Sequence, residues 1–297
     1  MKNQLLYPLL IVIASSSYGI LSTIIKVAMA NGFTSGEAVT SQYMFGFLLT
    51  LILFLITQRT LPRLNKTGLL TITCAGIFTA STGIIYGQAL EYLTASLAVV
   101  LFFQFTWIGM LIDCILHKRL PSKSETVSLG ILFTGTILAA GILDTDLSSI
   151  AWQGWVYGLL AALSFAIFIQ INSRKVESIS TISRTLLMSF VAMILISLFL
   201  TPEILWNGTL VNTNLWIFGS ILGLFGIILP ILLFSIAGPK VGGGLSSILS
   251  AMELPVAIIA SVAVLHEKLT ILQFFGIVVV LIGMILPTVI AQRKKLF

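Results

Sequence analysis

"LHEKL" at residues 265–269 stands between two apolar stretches, and a near copy, "LHKRL", stands at 116–120. Placing these two phrases decides the fold. Of 297 residues, 58% are hydrophobic and 9% are charged, against roughly 25% charge in a typical soluble chain. The apolar residues fall into ten runs: 6–29, 37–57, 68–89, 94–116, 125–142, 152–172, 181–200, 214–237, 243–265 and 270–291. Each is near the ~20 residues a helix needs to cross a hydrocarbon core about 30 Å thick. Continuous stretches such as "FFGIVVVLIGMIL" do not alternate as the strands of a membrane barrel must. The connections are short, so the chain reads as an all-α integral membrane protein of ten transmembrane helices with no soluble domain.

Basic residues set the expected orientation. With the amino terminus cytoplasmic, the inner segments hold Lys2, Arg59, Arg63, Lys66, Lys118, Arg119, Lys123, Arg174, Lys175, Lys240, Arg293, Lys294 and Lys295, thirteen of the sixteen Lys and Arg. Only Lys268 falls outside. Lys26 and Arg184 lie near helix ends, where long side chains reach the interface. Both termini are therefore expected inside, in a multi-pass protein of the cell's plasma (inner) membrane. The first run has no small-residue cleavage site and reads as a retained helix.

"LHKRL" follows the fourth run and "LHEKL" the ninth, an offset of 149 that also sets Gln104 opposite Glu253. Ser122 with Glu125, and Thr270 with Gln273, are both spaced as capping boxes, in which a hydroxyl and a side chain three residues on satisfy free amides at a helix start. Gly130 matches Gly276, "SSYG" (16–19) matches "LSFA" (163–166), and Ser41-Gln42 matches Ser183-Arg184. The fixed order of these matches marks a duplication, with five helices in 1–143 and five in 150–297. Five is odd, so the second copy enters the membrane from the opposite side. Inverted repeats of this kind are the plan of secondary transporters, whose halves exchange conformations around a site near the midplane.

The stretch "LHEKLTILQFFGIVVVLIGMIL" (265–286) resembles the end of an EamA domain of the drug/metabolite transporter superfamily, with its small-Glu-x-Leu-Thr phrase, a Gln three residues on and spaced glycines. "LSSILSAMELPVAIIASVAV" (245–264) is similar to that family's penultimate helix and "SYGILSTIIK" (17–26) to its first. His266 stands where glycine is usual, Lys118 where the first half has glutamate, and Leu254 separates Glu253 from Pro255. The resemblance implies export of amino acids or other small metabolites. A lipid or lipid-linked sugar flippase and a metabolite importer share the same fold and stay open as alternatives.

Gln104 and Glu253 sit about ten residues from their helix ends, roughly 15 Å in and so near the bilayer centre. Gln104 shares a face with Val100, Trp107 and Leu111, and Glu253 with Ser246, Leu249 and Ser250. The third run presents Thr79, Thr82, Gly83 and Tyr86, the first Ser15, Tyr18 and Ser22, the sixth Ser164 and Phe168. The candidate solute site is accordingly Tyr18, Tyr86, Gln104, Trp107, Ser164, Phe168 and Ser250, with Glu253 in coupling or gating. A carboxylate at that depth costs about 2.5–3.5 kcal/mol to insert as a charge, so Glu253 is either functional or held neutral against a neighbouring helix. Hydroxyl residues such as Ser15, Ser22, Thr82 and Ser164 also serve close packing.

Other classes are disfavoured. A membrane enzyme needs paired groups at one depth, and a single midplane carboxylate does not supply them, so no enzymatic activity and no cofactor are expected. His117 and His266 stand on opposite faces without a ligand cluster, which argues against a metal site. Asp113 reads as an interfacial contact of Lys118 and His117. Cys74 and Cys114 both map to the inner half, where thiols stay reduced. "GPKVGGGLSS" (238–247) lacks the Lys-Ser/Thr ending of a phosphate loop and reads as a flexible turn. The net charge of +6 follows from the inner-side bias and anionic lipid, so the partners are a small solute and the bilayer rather than nucleic acid. No ATP motif is visible, so energy is expected from an ion gradient, such as protons, or a counter-solute gradient, or the protein simply equilibrates its solute. The sequence leaves oligomeric state open.

Overall fold

The computed structural model describes residues 2–58, 60, 65–139, 151–176, 179–200 and 203–293. Among them there are helices and turns and no strand. The helices are α1 (Lys2–Gly19), α2 (Leu21–Ala30), α3 (Ser35–Thr57), α4 (Lys66–Tyr92), α5 (Ala95–Phe102), α6 (Phe105–Leu116), α7 (Lys123–Ala139) and α8 (Trp152–Asn172). They continue as α9 (Thr181–Phe199), α10 (Thr209–Asn212), α11 (Leu215–Gly223), α12 (Leu229–Val241), α13 (Gly243–Leu249), α14 (Glu253–Leu265) and α15 (Ile271–Arg293). Helices occupy the described part of every apolar run. Among the described residues, eight segments are long and apolar enough to cross a membrane: Leu5–Ala30, Ser35–Thr57, Lys66–Tyr92, Leu97–Leu116, Trp152–Asn172, Thr181–Phe199, Leu215–Val241 and Gly243–Leu265. The fifth and tenth runs fall short of that measure. In α7, 17 residues are described and the first turn carries Lys123 and Glu125; in α15 the apolar part is Ile271–Pro287.

The two halves interlock. Helix α1 packs along α12 and α8 along α4, so the first segment of each half lies against the third segment of the other. The pairs α3–α11 and α4–α9 repeat the relation for the second segments, and α7 lies along α15. Small residues allow this approach, since packing rather than a hydrophobic gradient holds helices together in lipid. A Cβ on Gly76 would lie 2.8 Å from the Met188 carbonyl oxygen, and one on Gly135 2.8 Å from the Val280 amide nitrogen. Ser128 donates to the Gly283 carbonyl at 2.5 Å across the same α7–α15 seam. We therefore expect Gly135→Leu to lower stability by about 1–3 kcal/mol through overpacking, read as a fall in thermal midpoint in detergent.

Interrupted helices lie in both halves. The ninth run breaks into α13, a 3₁₀ turn at Ser250–Met252 and α14. Pro255 explains it, because it has no N–H for the Ala251 carbonyl and its ring crowds that carbonyl. Pro230 acts likewise after the π-helical turn Leu224–Ile228 that separates α11 from α12. The fourth run breaks at Phe103–Gln104, where Gln104 N–H donates to the Leu101 carbonyl and Thr106 N–H to that of Phe103. That break sits opposite the one at 250–252 under the 149 offset, yet it contains no proline or glycine.

Local expectations meet the structure unevenly. Both capping boxes form: Ser122 N–H donates to Glu125 at 2.7 Å and Thr270 N–H to Gln273 at 2.9 Å, each returned by the amide three residues on. The 238–247 segment is not an extended flexible turn, because α12 runs through Pro239 and Lys240 and α13 starts at Gly243. Gly242 alone separates them, at φ 86°, a backbone that glycine adopts without a Cβ clash. Nor does Arg184 reach out to the interface. It is 4% exposed and donates to the Asn172 and Arg174 carbonyls at 2.9 and 3.2 Å, satisfying free groups at the end of α8. Lys26 is likewise turned inward, donating to the Leu90 carbonyl at 2.6 Å.

Candidate functional site: a central aromatic cavity

Where the first and ninth runs break, the helices enclose a narrow cavity of about 60 Å³. Both halves line it. Tyr18, Leu21 and Ile25 come from α1–α2, Val39, Gln42 and Tyr43 from α3, and Thr79, Thr82, Gly83 and Tyr86 from α4. Phe102 closes α5, Phe165 and Phe168 come from α8, Gly226 from the π turn and Glu253 from the start of α14. The rings form one connected set: Tyr86–Phe102 centroids are 4.9 Å apart, Phe102–Phe165 5.0 Å, Tyr18–Phe165 5.3 Å and Phe165–Phe168 5.6 Å. Tyr43 donates its hydroxyl to the Thr79 carbonyl at 2.5 Å. Glu253 is 4% exposed, and its Oε2 has no hydrogen-bond partner among the described residues.

Of the eight residues expected at the site, Tyr18, Tyr86, Phe168 and Glu253 meet in this cavity. Ser164 stands behind its wall, with its hydroxyl 2.9 Å from that of Thr82 and donating to the Phe78 carbonyl at 3.1 Å. Ser250 is buried in the α13–α14 break and donates to the Ser246 carbonyl at 2.8 Å. Gln104 and Trp107 lie elsewhere. They line a lateral groove with Phe103, Thr106, Leu129, Gly130, Phe133 and Thr136. Trp107 is 39% exposed and donates its indole N–H to Gln104 at 2.8 Å, while the Gln104 amide donates to the Val100 carbonyl. The break after α5 turns this pair away from the cavity, so Glu253 and its repeat partner Gln104 face different surroundings. Gln42, Tyr43, Phe102 and Phe165 were not singled out as site residues from the sequence; of these, Gln42, beside Ser41, and Phe165, opposite Tyr18, lay in the repeat matches.

A charged cluster stands at the far end of α6. Arg119 contacts Asp113 at 2.6 Å and Glu125 at 2.9 Å, and His117 lies 3.3 Å from Asp113. The carboxylates raise the guanidinium above its already high range, the Glu125 hydrogen bond first. Asp113 thus pairs with Arg119 and His117 rather than Lys118. The cluster presses on the start of α13, since a Cβ on Gly244 would lie 2.8 Å from Asp113 Oδ2 and 3.0 Å from Arg119.

Interlocked halves around a cavity at broken helices define a multi-pass helical membrane protein built as a two-fold repeat. The chain belongs to the EamA-like transporter family, which matches it twice, over residues 5–141 and 152–289. It is thus a membrane transporter of small molecules. One solved crystal structure, titled only as a protein, aligns with 99% of this chain and 99% of its own at a TM-score of 0.70 and 10% identity, a likeness of fold. No curated protein sequence matches the chain.

Proposed function

We propose that the protein is a secondary transporter of the plasma membrane that exports amino acids or other small metabolites by alternating access. In this reading ten helices span the bilayer as two inverted repeats, 1–143 and 150–297, with both termini cytoplasmic. Tyr18, Tyr86 and Phe168 meet the solute, Ser164 and Ser250 brace the walls, and Glu253 couples movement to a proton or a counter-solute. The observation that carries the reading is the central cavity, walled by both halves at helix interruptions, where transporters of inverted-repeat design place their sites. At about 60 Å³ it is below the ~300 Å³ where solute pockets begin, so the halves must part to admit solute. Purified protein in liposomes tests the proposal. Gradient-driven accumulation of labelled amino acids supports it, and movement of labelled lipid alone supports the flippase alternative.

Two further outcomes are expected. Single cysteines at Lys123 and Lys175 should be shielded from an impermeant thiol reagent in intact cells, while one at Lys268 is labelled. Asp146, also expected outside, lies beyond the described residues. Labelling at 123 with protection at 268 reverses the topology. Tyr86→Ala should change which solutes are carried, because it removes a ring from the cavity wall, and Trp107→Ala in the lateral groove should not. Equal effects of the two on competition profiles would move the site.

A further inference from the structure

We infer that the cavity recognises a small organic cation, a primary or methylated ammonium group carrying an apolar body. This rests on the transport reading above and names its solute class. Among the described residues the wall supplies one carboxylate, six aromatic rings and no Lys, Arg or His. Glu253 is nearly fully buried with an unpartnered oxygen, the acceptor that an ammonium N–H needs. Tyr18, Tyr86, Phe102 and Phe165 line the same cavity, and a cation over a ring face is held by the ring quadrupole, most strongly where water is excluded. The low dielectric of the site strengthens the charge pair as well.

Other solute classes fit worse. An anion beside the Glu253 carboxyl meets no basic group of the described lining to offset it, and a body without an N–H or O–H donor leaves Oε2 without a partner at a buried position. A metal ion would need several oxygen or nitrogen ligands, and the described residues hold no group of three His, Cys, Asp or Glu. The rings instead suit an ion whose charge is spread over N–H or N–CH₃ surface. The modest volume suits a head group of that size, with the apolar body lying toward the path that opens.

The probes are three compounds of one shape and different charge: 2-phenylethylamine, 2-phenylethanol and phenylacetate. Binding to the purified full-length protein is read by calorimetry and by the shift of thermal midpoint. The amine should bind at least about tenfold more tightly than the alcohol, about 1.4 kcal/mol, and phenylacetate should not bind. In Glu253→Gln the amine should fall to the affinity of the alcohol, with an unchanged size-exclusion profile showing that the variant is folded. Equal binding of amine and alcohol, an advantage that survives Glu253→Gln, or no binding of the amine each overturns the inference. Flux distinguishes this from the transport reading. Liposomes that move labelled amino acids without any preference for the amine sink the cation class alone, and amine binding without flux of any solute sinks the transporter and leaves the site.

Discussion

On the coupling reading, Glu253→Gln should leave the protein folded in the membrane and abolish proton-driven solute movement. The amide keeps the shape of the acid and can still hydrogen-bond in a site 4% exposed, but it can neither hold a negative charge nor release a proton. If Glu253 exchanges a proton for solute, uptake in liposomes under an imposed pH gradient should drop to that of empty vesicles, and the dependence of rate on pH should vanish. Exchange of solute for solute at equal pH is the companion measurement. Should the variant retain gradient-driven transport with the wild-type pH profile, the coupling role is wrong, and Glu253 is a neutral packing group in the α13–α14 break. The unpartnered Oε2 favours the coupling role, because a packing group at this depth should have its oxygens satisfied.

The second large effect is expected from Gly19→Val. A Cβ there would lie 2.6 Å from the Glu253 carbonyl oxygen, 2.9 Å from the Val256 Cβ and 3.1 Å from the Ala257 amide nitrogen. None of these atoms can rotate away, since all are backbone or the first atom of a side chain. Valine must therefore force the α1–α2 bend off the start of α14, the contact that sets Tyr18 and Glu253 on one cavity. Overpacking of this kind costs about 1–3 kcal/mol, and the displaced break should remove transport as well. Gly130→Ala is the control, because no heavy atom lies within 4 Å of the point its Cβ would occupy and alanine is the better helix former by up to about 1 kcal/mol. A normal thermal midpoint and normal flux for Gly19→Val would show that the two helices do not need this contact.

The lesson of the two halves lies in where matching residues ended up. The offset linking "LHKRL" to "LHEKL" set Gln104 opposite Glu253, and both positions stand at helix breaks. The ninth run was read as one continuous helix, although Pro255, which removes a hydrogen bond and clashes with a carbonyl, carries the signal for the break near Glu253. Phe103–Gln104 carries no such signal, so that break and the outward turn of Gln104 and Trp107 were not legible. Arg184 was read as reaching the interface by its place near a helix end, yet the free carbonyls at the end of α8 hold it inside. Buried hydroxyls were ambiguous for a related reason: Ser15, Thr79 and Ser250 donate to carbonyls of their own turn, a bond available on any face of a helix.

What the amino-acid sequence determined by itself are the quantities set within one segment. Apolar run length matches a hydrophobic thickness, and a hydroxyl with an acid or amide three residues on caps a helix. Which face of each helix looks inward was decided only by the tertiary structure. In water the apolar stripe of a helix marks its buried side, but lipid is as apolar as the protein interior, so the pattern carries little of that information. The cavity rings, the isolation of Glu253 and the lateral position of Trp107 all depend on how the halves lock together.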